Sequence, residues 1–172
     1  MTKYEEIKEA AVAGERLFRE RQNRCLQYGA LLWRNFAFYC GIPSDQIKML
    51  RWNGWNAEPA FEDAETGYRF APAGAMRFDH ESQSWRFGLQ IELGAIGWVF
   101  CGFGVADSDG KALVEVALNT PRLVDFNDEN QRGELYGYIV EVIKEAYREG
   151  KPRQTIGFSL PTAEGTEIEP AA

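Results

Sequence analysis

The one histidine of this 172-residue chain, His80, stands between two carboxylates in the run Asp79-His80-Glu81. An imidazole beside carboxylates invites general acid–base chemistry, because its ordinary pKa lies near neutrality. The run falls, however, where one strand should turn into the next, and successive residues of an extended chain point to opposite faces. A solvated turn histidine is the expectation. No serine occupies a Gly-x-Ser-x-Gly elbow, and no cysteine stands at a recognisable spacing from His80. Asp107-Ser108-Asp109-Gly110 opens like a calcium loop, but eleven residues after Asp107 comes Leu118, where a bidentate Glu is required. It reads as a hairpin turn. The glycines of Gly102-Phe103-Gly104 lie in a strand with no helix behind them, so they lack the helix N-terminus that cradles a phosphate. Glu58, Glu62, Asp63 and Glu65 are numerous enough for a glycosidase pair, yet no sustained period would hold two of them in place. They are expected to keep a loop soluble.

Cys25, Cys40 and Cys101 are odd in number, widely spaced and set in apolar segments. They fit buried free thiols in a reducing compartment better than a disulfide or metal framework. The expectation is no catalytic residue, no cofactor and no metal, with a non-enzyme favoured over an enzyme.

The composition points the same way. The chain is 45% hydrophobic and 13% aromatic, with 19 Lys+Arg against 26 Asp+Glu and a net charge of −7. Such a surface repels phosphate backbones, which disfavours nucleic acid as a partner. Basic residues interleave with aromatics in "MLRWNGW" and "YRFAPAGAMRF", a pattern compatible with base stacking, but the surrounding acids oppose it. Residues 1–52 hold nine basic and six acidic side chains, and residues 53–172 hold ten and twenty. The basic excess includes Arg16, Arg19, Arg21 and Arg24. It is either a partner-binding stripe or a solvated helix face; Glu15–Arg19, Arg16–Glu20 and Glu20–Arg24 at i, i+4 favour the second. The charged start of the chain and the absence of an unbroken apolar run predict a cytoplasmic protein without a membrane span.

The elements that position these residues follow from periodicity. From Lys3 to about Tyr39, apolar residues recur every three, four or seven positions along one face: Ile7, Ala11, Gly14, Phe18, Cys25, Gly29, Leu32 and Phe36. An unbroken helix of that length spans about 55 Å, so a bend near Gln22–Asn23 or Gly29 is predicted. Its second half is apolar almost all round and should be buried. Gly41 and Pro43 end it, and Ser44 is placed to cap a short helix over Asp45–Leu50. Residues 53–74 read as a long connection.

From 75 to 126 the period becomes two. In "SWRFGLQIEL" Trp85, Phe87, Leu89 and Ile91 point one way, with Arg86, Gln90 and Glu92 opposite. A tight turn at Gly94-Ala95 sets Phe87 against Gly102 and Trp85 against Gly104, glycines making room for rings. It also places Val99, Cys101, Phe103 and Val105 on the Arg86 face. A three-residue loop at "DSDGK" then puts Val114, Val116 and Leu118 on the Trp85 face and keeps Glu115 out of the core. Residues 127–150 form a helix capped by Asn127 or Asp128, with Gln131 completing a capping box. Its buried stripe is Leu135, Ile139, Val142, Ile143 and Ala146, and Gly150 and Pro152 stop it. Residues 153–160 offer an edge strand, and 161–172 an acidic, disordered tail. The predicted fold is α+β, one domain over 1–160: an N-terminal helical segment, an antiparallel meander of four to five strands, and a C-terminal helix packed on the sheet.

The remaining signal is "RWNGWNAEPAFED". Asn53-Gly54 favours a type I′ turn flanked by Trp52 and Trp55. Either both rings pin the helix–sheet crossing, or one stays exposed as an anchor, since Trp and Arg are enriched at interface hot spots. The second reading gives a partner-binding set of Arg51, Trp52, Trp55 and Phe61, rimmed by Glu58, Glu62 and Asp63. The functional expectation is a non-catalytic acidic protein that binds and covers a macromolecular partner, as inhibitor, immunity-type, anti-defence or chaperone-like proteins do. The alternatives are a homo-oligomeric structural subunit, or a small-molecule-binding or enzymatic domain with an aromatic-lined pocket between sheet and N-terminal helix.

Overall fold

A computed structural model describes residues 2–57, 60–63, 71–148 and 154–156. The acidic tail, Glu58, Glu65 and the helix stop at Gly150 and Pro152 lie outside them. The fold is α+β, with more strands than the sequence predicts. Helix α1 (Lys3–Cys40) leads to strands β1 (Ile47–Trp52) and β2 (Phe61–Asp63). A short helix α2 (Ala71–Ala75) follows, then β3 (Arg77–Asp79), β4 (Ser84–Glu92), β5 (Trp98–Ser108), β6 (Lys111–Val116) and β7 (Arg122–Val124). Helix α3 (Glu129–Arg148) and strand β8 (Gln154–Ile156) close the described chain. The sheet runs β2-β1-β4-β5-β6-β7; β3 extends the line of β1 along β4, and β8 adds to β5 in parallel.

Both long helices pack on one face of the sheet, where Phe87, Leu89, Val99, Phe103 and Val105 meet Leu32 and Phe36 of α1 and Leu135 and Ile139 of α3. Phe87 and Phe103 stack at 5.4 Å. These are large, fully buried side chains, so among the described residues the space between sheet and α1 is filled with core.

Several expectations are corrected. Helix α1 is unbroken over 38 residues. Gly29 serves close approach instead of a bend: a Cβ there would collide with the Met76 thioether beside α2. Left-handed Gly41 (φ 66°) then caps the helix. The Ser44-capped helix is absent, and strand β1 takes its place. Ile47 and Met49 lie opposite Ile91 and Leu89 and join the core. Tertiary pairing along an open strand edge outweighs a local cap.

The turn between β4 and β5 contains a 3-10 segment at Gly94–Ile96, and the Leu93 amide donates to the Gly97 carbonyl at 2.6 Å. This is longer than the predicted turn, so the register slips by one. Phe87 faces Phe103, Trp85 faces Val105, and Val99, Cys101, Phe103 and Val105 lie on the helix side. The next hairpin is shorter than predicted: Ser108 pairs with Lys111 around Asp109 (φ 49°) and Gly110 (φ 80°). The two one-residue errors cancel. Val114 and Val116 reach the core and Glu115 the opposite face, as the charge argument required. Leu118, placed in the core by periodicity, instead lies exposed in a left-handed turn (φ 62°).

Cys25 and Cys101 are buried free thiols, their pKa pushed up to about 12 by burial, whereas Cys40 is exposed at the end of α1. On α3, Leu135, Tyr136 and Ile139 are buried, with Val142, Ile143 and Ala146 packed at the margin. Gln131 does bond Asp128, side chain to side chain at 2.9 Å.

Candidate functional site

Two regions present themselves: the corner carrying the two tryptophans, and the exposed first half of α1. At the corner, Trp52 ends β1 and pairs with Phe61 of β2, so the connection is a long loop and not a two-residue turn. The Asn53 amide donates to the Ala60 carbonyl at 2.7 Å and closes it. Trp52 and Phe61 are buried with Leu50 and Ala60 in a small second core on the face away from the helices. Gly88 forms its floor, since a Cβ there would lie 3.2 Å from both Leu50 and Phe61. Trp55 packs edge-on against Trp52, with centroids 5.6 Å apart, and is 38% exposed. Arg51 and Glu62 form a cross-strand ion pair at 3.4 Å. Of the expected set, then, Trp52 and Phe61 are core residues and Trp55 is the aromatic with exposed surface. Asp63 ends β2, and Glu58 is outside the described residues.

Beneath Trp55 lies a buried polar network that the sequence reading missed. Arg86 is 3% exposed. Its Nε donates to Asp79 Oδ2 at 3.2 Å, and its Nη1 to Glu115 Oε1 at 2.8 Å. The Trp55 ring covers the guanidinium at 4.7 Å while its Nε1 donates to Asp79 at 3.0 Å. Ser82 donates to the same carboxylate and contacts Ser84 at 2.8 Å. Arg86 reaches Glu115 across three strands because the residue between them is Gly104. A Cβ at 104 would stand 3.2 Å from Arg86 Nη1. Glycine thus admits a cation here, where the shifted register had assigned it to a ring. Strand parity already put Arg86 and Glu115 on one face; only the register error hid their contact.

Burial opposes the charge on Asp79, but hydrogen bonds from Ser82, Trp55, the Glu81 amide and Arg86 outweigh it and hold the pKa below the ordinary value. Both carboxylates are thereby committed to one guanidinium. His80, by contrast, is exposed in the turn, its ring edge-on to Phe78 at 4.9 Å. Among the described residues no group of three or more His, Cys, Asp or Glu is arranged to hold a metal ion.

The second region is built by α1. Thr2 and Glu5 form a capping box at its start. Local ion pairs support the next turns, with Arg19–Glu15 at 2.6 Å and Arg16–Glu20 at 3.6 Å. Arg24 leaves this pattern. It forms a two-pronged pair with Asp107 of β5 at 2.8 and 2.9 Å, and Tyr28 donates to the same carboxylate at 3.2 Å. The Arg24 bonds hold Asp107 below its ordinary pKa against the opposing effect of burial. That clamp marks where the helix meets the sheet. Before it, every residue from 2 to 21 is exposed. The apolar stripe nonetheless continues outward: Tyr4 is 73% and Ile7 69% exposed, while Phe18, 41% exposed, packs on Phe78 (5.1 Å) and Trp85 (6.2 Å) of the body. No helix among the described residues is long and apolar enough to cross a membrane. No protein family, curated protein or solved structure matches the chain.

Proposed function

We propose that the protein is a non-catalytic binding protein that docks a macromolecular partner along the exposed half of α1. The observation that carries this reading is the apolar stripe of Tyr4, Ile7, Ala11, Gly14 and Phe18 on a helix already ordered beyond the body. Most helical stability in proteins comes from packing an amphipathic face. A protruding arm with a continuous apolar stripe is therefore an element awaiting a second surface. The commitment of Asp79 and Glu115 to Arg86, and of Asp107 to Arg24, supports a non-catalytic role, because those carboxylates hold the fold together.

Trp55 favours a second contact. Its ring is fixed by Trp52, Arg86 and Asp79, so presenting its exposed edge costs little conformational entropy on binding. In this reading Trp52 and Phe61 hold Trp55 in place from below, while the Arg51–Glu62 pair lies on the sheet's other face and takes no part in the contact. The test is capture of partners by the full chain beside its Ile7→Glu and Trp55→Ala variants. Loss of capture with Ile7→Glu at unchanged melting temperature supports the arm. Unchanged capture with both variants overturns the proposal.

A further inference from the structure

The spacing of the arm's stripe identifies what fits it. Tyr4, Ile7, Ala11, Gly14 and Phe18 follow one another by three, four, three and four residues, the a and d positions of a heptad. Such a seam packs against another helix carrying the same repeat. The pattern of sizes is large, large, small, small, large. Gly14 has open space around it: a Cβ there would meet nothing within 4 Å.

We propose, resting on the arm-docking reading above, that the partner is a second copy of this chain, its arm antiparallel with a two-fold axis between Val12 and Ala13. In that register Ile7 packs on the part of the partner's Phe18 that its own Phe78 and Trp85 leave exposed, and Ala11 meets the partner's Gly14. Symmetry repeats both layers. Two small residues at the centre let the backbones approach closely, and the large side chains close the seam on either side. Tyr4 stacks on the partner's Arg21, a ring–guanidinium contact.

The positions flanking the seam agree. In an antiparallel pair, flanking positions of the same kind face one another. Lys8 then lies beside the partner's Glu15 and Ala10 beside the partner's Leu17, twice each. Leu17, exposed in the single chain, is covered. The remaining pair, Lys3 with the partner's Arg24, joins like charges, but each is already balanced within its own chain, by Glu6 at 2.9 Å and Asp107 at 2.8 Å. A parallel, in-register pair fares worse. It stacks Ala11 on Ala11 and Gly14 on Gly14, leaves Tyr4 against Tyr4, and offers no flanking pair of opposite charge. Size and charge therefore select the antiparallel arrangement.

Sedimentation of the full chain over a range of concentrations tests this. The mass is expected to rise from 19.5 kDa to twice that value. Ile7→Glu should abolish the dimer and Gly14→Leu should weaken it at least tenfold, both with an unchanged melt of the body. The orientation is read by mixing. Lys8→Glu and Glu15→Lys chains should each pair poorly with themselves, like charges facing across the seam, while their mixture forms a heterodimer at least tenfold tighter than either. A dimer indifferent to Ile7→Glu, or a mixture that gains nothing, overturns the antiparallel arm pair. A chain that stays monomeric while Ile7→Glu still loses capture of another molecule overturns self-pairing and leaves the arm-docking reading standing. A monomer whose capture ignores Ile7→Glu ends both.

Discussion

The two halves of α1 share one helix, one stripe and one backbone geometry, yet they live in different environments. From Cys25 onward the stripe packs into the main core with Leu32 and Phe36, and the Arg24–Asp107 clamp and the Tyr28–Phe126 stack at 5.5 Å pin the helix to the sheet. From Tyr4 to Gly14 the same stripe faces outward, and Phe18 marks the join, one side of its ring on Phe78 and Trp85. The docked half is held by non-local burial and the arm by its cap and by short-range ion pairs along its surface. Helical periodicity alone therefore says that a face will be covered, and leaves open what covers it.

That contrast can be broken in order of effect. Phe36→Ala, a fully buried ring in the docked half, should cost about 3–5 kcal/mol of stability, measured by denaturant unfolding. A cost under about 1 kcal/mol would mean that this half is no more anchored than the arm. Arg86→Met removes the cation between two carboxylates and should cost about 3–5 kcal/mol, because stranding a buried charge is the expensive outcome. The simultaneous replacement Asp79→Asn, Glu115→Gln in that background should recover part of it, and no recovery would mean that the charges are not what Arg86 offsets.

Acid should then act on the docked half and the corner. The folded-state pKa values of Asp79 and Asp107 are both lowered from the ordinary 3.8. Their contribution is complete above the unfolded value and is lost as pH falls through the folded ones. The melting temperature should hold above about pH 5 and decline below about pH 4, and Asp107→Asn should flatten that decline. A melting temperature insensitive to acid would break the assignment. The smallest effect is expected at Ile7→Ala, within about 0.5 kcal/mol for the dilute chain. A larger loss there would show that the arm's stripe already packs on the body.

Periodicity and punctuation made the elements legible. The capping signals at Asp128, the period of two in β4 and the stripe of α1 each act within a few residues, where propensity and amphipathicity are decided. The α+β class followed from them. The same argument reached no further than its longest local range at β1, where "IKMLRW" has little preference and the free edge of β4 decided. The tryptophan corner was legible as aromatic surface, but which ring is buried depends on Phe61 arriving from β2 and on Gly88 beneath it.

Alone, the sequence determined that residues 3 to about 39 carry an apolar stripe at helical spacing, that β4 alternates, and that Glu115 must avoid the core, since these rest on local geometry and on the cost of burying a lone charge. Only the tertiary structure decided the β4–β5 register, and with it the meeting of Arg86, Gly104 and Glu115. A single added turn residue inverts every side chain that follows, and loop length is fixed by how strands pack, not by the residues of the loop. The tertiary structure also decided where α1 leaves the sheet, because the sheet's edge ends the cover that a periodic stripe has no means of measuring.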